Sequence, residues 1–129
     1  MDAAAAARRW ADVWERGWRE ADVDSIAALY ADEALFLSQP FREHRPPRDF
    51  VAWAFGEQAS AECRFGEPVV GDGRAAVDWW AVVTDRDGST ETLAGTSLLR
   101  FDADGLVVEQ RDVWVSEEGR RELPAWAPR

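Results

Sequence analysis

Residues 90–115 read TETLAGTSLLRFDADGLVVEQRDVWV, and this stretch decides the fold. Two runs of β-branched and apolar residues flank Asp102-Ala103-Asp104-Gly105, a short polar turn ending in glycine. That is the signature of an antiparallel hairpin. Similar punctuation recurs upstream at Gly71-Asp72-Gly73 and Asp85-Arg86-Asp87-Gly88. Strands are therefore predicted at 62–70, 75–84, 90–101 and 106–115, joined as a meander. Side chains alternate across a strand. Gln110, Asp112 and Trp114 share one face of the last strand, and Arg111, Val113 and Val115 share the other. Among the neighbours Trp79 and Trp80 only one can point inward, and the apolar set Val77, Trp79, Ala81 and Val83 favours Trp79. Trp80 is then expected on the outer face, as a surface for a partner.

Upstream of Ala61 the period is helical. Trp10, Val13, Trp14 and Trp18 recur at three- and four-residue spacing, which stacks them on one face of a helix over 3–20. Asp22 or Asp24 suits the N-cap of a second helix, 24–31, that carries Ile26, Leu29 and Tyr30. A short strand is expected at 34–38. Pro40, Pro46 and Pro47 mark a loop, and Pro47 suits the first turn of a third helix over 48–57. Helices first and strands after is an α+β pattern. The chain reads as one domain, 1–129, with 117–129 a polar tail that includes Trp126.

With 129 residues, 47% of them hydrophobic, the chain has the means to bury one core. Its formal net charge of −10 repels phosphate backbones and anionic membranes, so neither nucleic acid nor membrane is expected as a partner. All fifteen basic residues are arginine. Without lysine there is no Schiff-base chemistry and no phosphate-binding P-loop. Cys63 is the only cysteine and His44 the only histidine, which leaves no disulfide and no zinc site of the usual ligands. The Asp-x-Asp-Gly turns lack the remaining ligands of a calcium loop. No metal and no cofactor are expected. No run is long enough to span a bilayer, the alanines at 3–7 are too few for a signal-peptide core, and a cytoplasmic location is expected.

The stretch Asp22-Val23-Asp24-Ser25-Ile26-Ala27-Ala28-Leu29-Tyr30-Ala31-Asp32-Glu33-Ala34 resembles the corresponding stretch of nuclear transport factor 2-like (SnoaL-like) proteins. Leu99–Glu109 resembles their final hairpin. The resemblance covers about residues 10–116. It implies a cone-shaped, strongly curved, mainly antiparallel sheet packed on N-terminal helices, enclosing a pocket for a small, largely apolar molecule. Activities across this superfamily range over isomerases, dehydratases, cyclases, hydrolases and binding modules that catalyse nothing, so fold alone does not assign one. Ketosteroid isomerase resembles the first two helices, but its tyrosine, aspartate base and protonated aspartate match Trp14, Ser38 and Ser97 here. The SnoaL-type polyketide cyclases resemble the last strand, where their catalytic aspartate matches Asp112.

Asp112 is thus the candidate catalytic residue. Buried among aromatic rings, its carboxyl would titrate high and serve as general acid or base. The alternative is a structural aspartate bonded to a helix-end amide or an arginine. Trp14, Tyr30 and Trp114 are expected as pocket walls, and Ser38, Ser97 and Gln110 as polar ligand contacts. Trp18, Phe36, Phe41 and Phe55 are further aromatic candidates, and eight tryptophans exceed what so small a core requires. His44 in the proline-rich loop reads as an exposed loop residue. Two functions compete: a cofactor-free acid–base enzyme on a small apolar molecule, and a non-enzymatic binding or dimerisation module. A homodimer through the outer sheet face, with Trp80 as anchor, is expected in either case.

Overall fold

The computed structural model describes residues 1–123. Helix α1 (Ala3–Glu20) begins at Asp2, whose carboxylate accepts the Ala5 amide at 2.8 Å. It ends at Ala21 in the left-handed conformation, φ 54°. Helix α2 (Val23–Ala27) is capped by Asp22, which accepts the Ser25 amide at 3.1 Å. Helix α3 (Pro47–Glu57) starts on its proline, as expected of a residue with no amide to leave unpaired.

The strands are β1 (Tyr30–Leu37), β2 (Gln58–Phe65), β3 (Val69–Val70), β4 (Arg74–Asp85), β5 (Thr90–Phe101) and β6 (Val107–Glu118). They form one open sheet in the order β1-β6-β5-β4-β2, with β3 on β4 beside β2. Every pairing is antiparallel except β1 with β6. The helices pack on one face of the sheet, and α1 touches β2, β3, β4 and β5. Trp10 of α1 also reaches Gln110 on β6. The architecture is α+β, helices on a mainly antiparallel sheet.

Several boundaries differ from the sequence reading. The expected helix 24–31 stops at Ala27, because the chain at Tyr30 pairs with Val107 of β6. Ile26, Leu29 and Tyr30 are buried in this arrangement just as they would be on a helix, so the apolar spacing could not separate the two. The strand expected at 34–38 begins at Tyr30 and carries a register shift before Leu35, with Glu33 at φ 61°. The strand expected at 62–70 starts at Gln58 and breaks at Gly66–Pro68, where proline has no amide for the ladder. Strand β6 runs to Glu118, so the tail expected from 117 begins inside a strand. Trp126 lies outside the described residues.

After β6 the chain turns across the outer face. The Thr92 hydroxyl donates to the Gly119 carbonyl and accepts the Arg121 amide, both at 2.8 Å. Arg120 pairs with Glu62. Trp80 lies on this outer face but is only half-exposed, in a shallow groove whose rim includes Arg120 and Leu123. Val113 and Val115 are open apolar residues of the outer face, 51% and 72% exposed. The core is on the inner face, where Trp79 is buried.

Candidate active site

Between α1, α3 and the inner sheet face lies a cavity of about 340 Å³. Six tryptophans border it: Trp10, Trp14 and Trp18 of α1, Trp53 of α3, Trp79 of β4 and Trp114 of β6. Phe50, Phe55 and Phe65 complete the apolar wall. The three α1 indoles follow from their four-residue spacing, which places them on the buried face of the helix.

Space between Trp79 and Trp114 comes from a glycine. Gly95 sits between them across the sheet, paired with Trp79 on one side and Trp114 on the other. A Cβ there would lie 2.5 Å from the Trp114 Cβ and 2.9 Å from the Trp79 Cζ2. A glycine inside a strand marks such a close approach, a signal that the sequence reading did not take up.

Asp112 lies on the cavity wall, 9% exposed. Its Oδ1 accepts the Ser97 hydroxyl at 2.6 Å and the Gln110 amide at 3.0 Å. The directions of these bonds are fixed by tryptophans, because an indole N–H only donates. Trp79 donates to Ser97 Oγ at 3.1 Å, so that hydroxyl is free to donate onward to Asp112. Trp10 donates to Gln110 Oε1 at 3.0 Å, which turns the Gln110 amide nitrogen toward Asp112. Trp14 donates to the Tyr30 hydroxyl at 3.0 Å, and Tyr30 donates to Gln110 Oε1. All of this donation converges on one oxygen. Oδ2 makes no hydrogen bond among the described residues and is not sealed from the cavity.

Burial raises the Asp112 carboxyl to about 7, against the partly opposing pull of the Ser97 and Gln110 bonds. The proton of the neutral form belongs on Oδ2, since Oδ1 already accepts two bonds. Burial also holds the Tyr30 hydroxyl well above its ordinary value. Among the described residues neither a helix-end amide nor an arginine bonds Asp112.

Of the other sequence candidates, Trp14, Ser38, Ser97, Gln110 and Trp114 all line the cavity with Asp112. Tyr30 does not: it stands behind the wall, between Trp14 and Gln110. Trp18 and Phe55 line the cavity, but Phe36 is core and Phe41 is 97% exposed. His44 is an exposed loop residue away from the cavity. Sequence reading missed Arg42, whose guanidinium lies 5.4 Å from the Trp114 ring centre and donates to Ser38 Oγ at 3.2 Å. The Trp114 indole donates to the Ser38 carbonyl at 2.6 Å, which ties the loop to the cavity wall. Also missed were Glu57, Asp85 and Glu91 at the cavity's edge. Among the described residues no group of three or more His, Cys, Asp or Glu is placed to hold a metal ion. No described helix is long and apolar enough to cross a membrane.

Comparisons with known proteins agree with this fold. The chain resembles an epoxide hydrolase/cyclase-like enzyme, SalBIII, of pyran ring formation in the polyether salinomycin (TM-score 0.74, 18% identity, 86% of this chain and 91% of that one). It is also similar to a nuclear transport factor 2-like protein of unknown function from Exiguobacterium sp. 255-15 (TM-score 0.70, 22% identity, 85% and 98%). A Mycobacterium tuberculosis protein aligns with a TM-score of 0.76 at 14% identity, over 92% of this chain and 99% of that one. At such identities these likenesses concern the fold. No curated protein matches the sequence. The SnoaL-like domain pattern matches residues 7–110, and the chain belongs to that family.

Proposed function

We propose that this protein is a cofactor-free acid–base enzyme acting on a small, mainly apolar molecule, with Asp112 as its proton-transfer group. The observation that carries this reading is the asymmetry of the carboxyl. Oδ1 is saturated by Ser97 and Gln110, while Oδ2 opens on a cavity walled by aromatic rings. In the neutral form Oδ2–H donates to a substrate oxygen. In the ionised form Oδ2 takes a proton from a carbon or hydroxyl beside it. A carboxyl that titrates near neutrality populates both forms, which suits proton transfer in either direction. Isomerisation, dehydration, cyclisation and hydrolysis all use such a step. Trp14 and Trp114 supply apolar contact, and Ser38, Ser97 and Gln110 supply polar edges. The test is native mass spectrometry of freshly purified protein, followed by incubation of the recovered molecule with the enzyme. Recovery of a small apolar compound that the protein converts supports the reading. A compound recovered unchanged after incubation leaves a binding module in its place.

The binding-module reading rests on one specific observation. Among the described residues Asp112 is the only buried carboxyl that lines the cavity, with Tyr30 behind the wall and His44 outside it. A reaction that needs a separate acid and base would find one group there.

We also infer a homodimer through the outer sheet face. Trp80 is half covered, so the anchor moves to Val113 and Val115. Sedimentation of Val113→Asp/Val115→Asp at micromolar concentration should give a monomer where the natural chain gives a dimer. A natural chain that sediments as a monomer overturns this.

A further inference from the structure

Among the described residues Arg42 is the one cationic side chain that borders the cavity. It comes from the loop between β1 and α3. A guanidinium offers five N–H groups. One of them donates to Ser38 Oγ at 3.2 Å, and the charge lies over the Trp114 ring, 5.4 Å from its centre. Among the described residues no carboxylate comes within ion-pair distance of it. The chain has 25 acidic residues, so the missing partner is not for want of candidates.

The second observation stands beside the first. Ser38 lines the same cavity and is 4% exposed. Its hydroxyl oxygen accepts Arg42, so its proton is left to donate onward. Among the described residues that proton has no acceptor. Ser38 and Asp112 each follow by one residue the paired Leu37 and Arg111 of the parallel β1–β6 ladder. Their parity is that of Phe36 and Gln110, which are paired and buried. A guanidinium and a buried hydroxyl thus offer unused donors to one place, on the β1 side of the cavity. Donors without acceptors call for an anionic oxygen group.

Glu57, Asp85 and Glu91 also line the cavity, but far along the sheet. Glu91 precedes Ser97, the residue paired with Asp112, by six positions on β5. That is about 20 Å of strand. Asp85 lies further along β4, and Glu57 precedes Gln58, which pairs with Asp85. Over such a distance, more than twice the screening length at physiological salt, their repulsion of an anion at Arg42 is weak.

We propose that Arg42 and Ser38 form a carboxylate-recognition site, and that the ligand is a hydrophobic carboxylic acid whose apolar body lies among the tryptophans. A carboxylate carries the single charge that one arginine balances, and its two oxygens suit the donor edge of a guanidinium. This rests on the pocket reading above and names the class of molecule that pocket takes.

The test uses three probes with one ring system: naphthylacetate, its neutral isostere naphthylacetamide, and naphthylethylamine. Binding to the full chain is measured by calorimetry and tryptophan quenching, at low and high salt. The acid should bind roughly tenfold more tightly than the amide, with the amine weakest, and the gap should narrow with salt. In Arg42→Gln the acid should fall to the amide's affinity while the amide itself changes little. Arg42→Lys keeps the charge without the fork and should retain part of the gap. Ser38→Ala should weaken the acid several-fold. Should Ser38→Ala fail to fold, the Arg42 variants on their exposed loop decide alone. Equal binding of acid and amide, tightest binding of the amine, or a gap that survives Arg42→Gln overturns the proposal and leaves the pocket reading standing. If none of the three binds, the pocket reading falls with it.

Discussion

The inner and outer faces of β4, β5 and β6 are built from alternate residues of the same strands, yet they treat polar groups in opposite ways. On the inner face Trp79, Ser97, Gln110 and Asp112 form a buried chain of hydrogen bonds with fixed directions. On the outer face Arg100 and Arg111 share Glu109 at 3.9 and 3.1 Å, with both arginines about half exposed. Water screens the outer pairs, and such contacts contribute little to stability. The inner chain is buried, so each missing partner leaves a buried group unsatisfied. Strand parity alone separates a face that can tune a carboxyl from one that cannot.

The sharpest way to break this comparison is Asp112→Asn. The amide keeps the shape and can still accept the Ser97 and Gln110 bonds at its oxygen. It cannot exchange a proton from the cavity side. Turnover of the recovered substrate should fall by roughly 10²–10⁴, the range of a lost general acid or base, while ligand affinity changes only a few-fold. Retained turnover would return Asp112 to a structural role.

Gly95 is the next lever. Gly95→Ala drives a methyl against the Trp114 Cβ and the Val113 carbonyl, 2.5 and 2.7 Å away. Overpacking of this kind costs about 1–3 kcal/mol, read as a lower midpoint in urea. Ligand affinity should fall further, because Trp79 and Trp114 must shift into the cavity. An unchanged midpoint and affinity would mean that the indoles are not held by this glycine.

Gly95 also marks where the sequence stops being legible. Turn residues and period two were enough to identify the hairpins, and parity grouped Gln110, Asp112 and Trp114 correctly. Those signals are local. Whether an inward aromatic packs solidly or borders a space depends on what lies opposite it, several strands away. Phe36 and Trp14 look alike in sequence and both belong to the core, yet Trp14 borders the cavity and Phe36 does not. Tyr30 is an inward aromatic like Trp14 and Trp114, but Trp14 and Gln110 stand in front of it. The carboxylates at the cavity's edge escaped notice for the same reason. Glu57, Asp85 and Glu91 come from three separate element ends that only the fold brings to one cavity.

A smaller effect is the pH dependence that the inner face imposes on stability. The Asp112 carboxyl sits at about 7 when folded and near 3.9 when unfolded. Below the lower value both states hold the proton and the group has no effect. Between the two values the folded chain holds a proton that the unfolded chain has released, so stability falls as pH rises. Above about 7 the cost is constant, on the order of a few kcal/mol. The difference between the natural chain and Asp112→Asn isolates this slope from the other carboxylates. Denaturation at pH 4, 6 and 8 should show the variant gaining steadily on the natural chain. A constant difference would mean that the carboxyl titrates normally.

The smallest effect is expected on the surface. Arg8 pairs with Glu67 through two contacts, one of the better ion-pair geometries in the molecule. Hydrogen bonding to Arg8 also holds the Glu67 carboxyl below its usual range. Both side chains are nevertheless largely in water, 58% and 73% exposed. An exposed pair must order two long side chains against screening by solvent and salt. Arg8→Ala should therefore leave the thermal midpoint unchanged within error, in low salt as in high. Trp10→Phe, two residues further along the same helix, removes the indole donor to Gln110 Oε1. That amide then keeps Tyr30 as a donor to Oε1 but loses one of the two bonds that orient it, and the Asp112 contact weakens with it. The midpoint should drop measurably, and the pH slope assigned to Asp112 should change. If Arg8→Ala proved the more damaging of the two, burial would not be what separates the two faces.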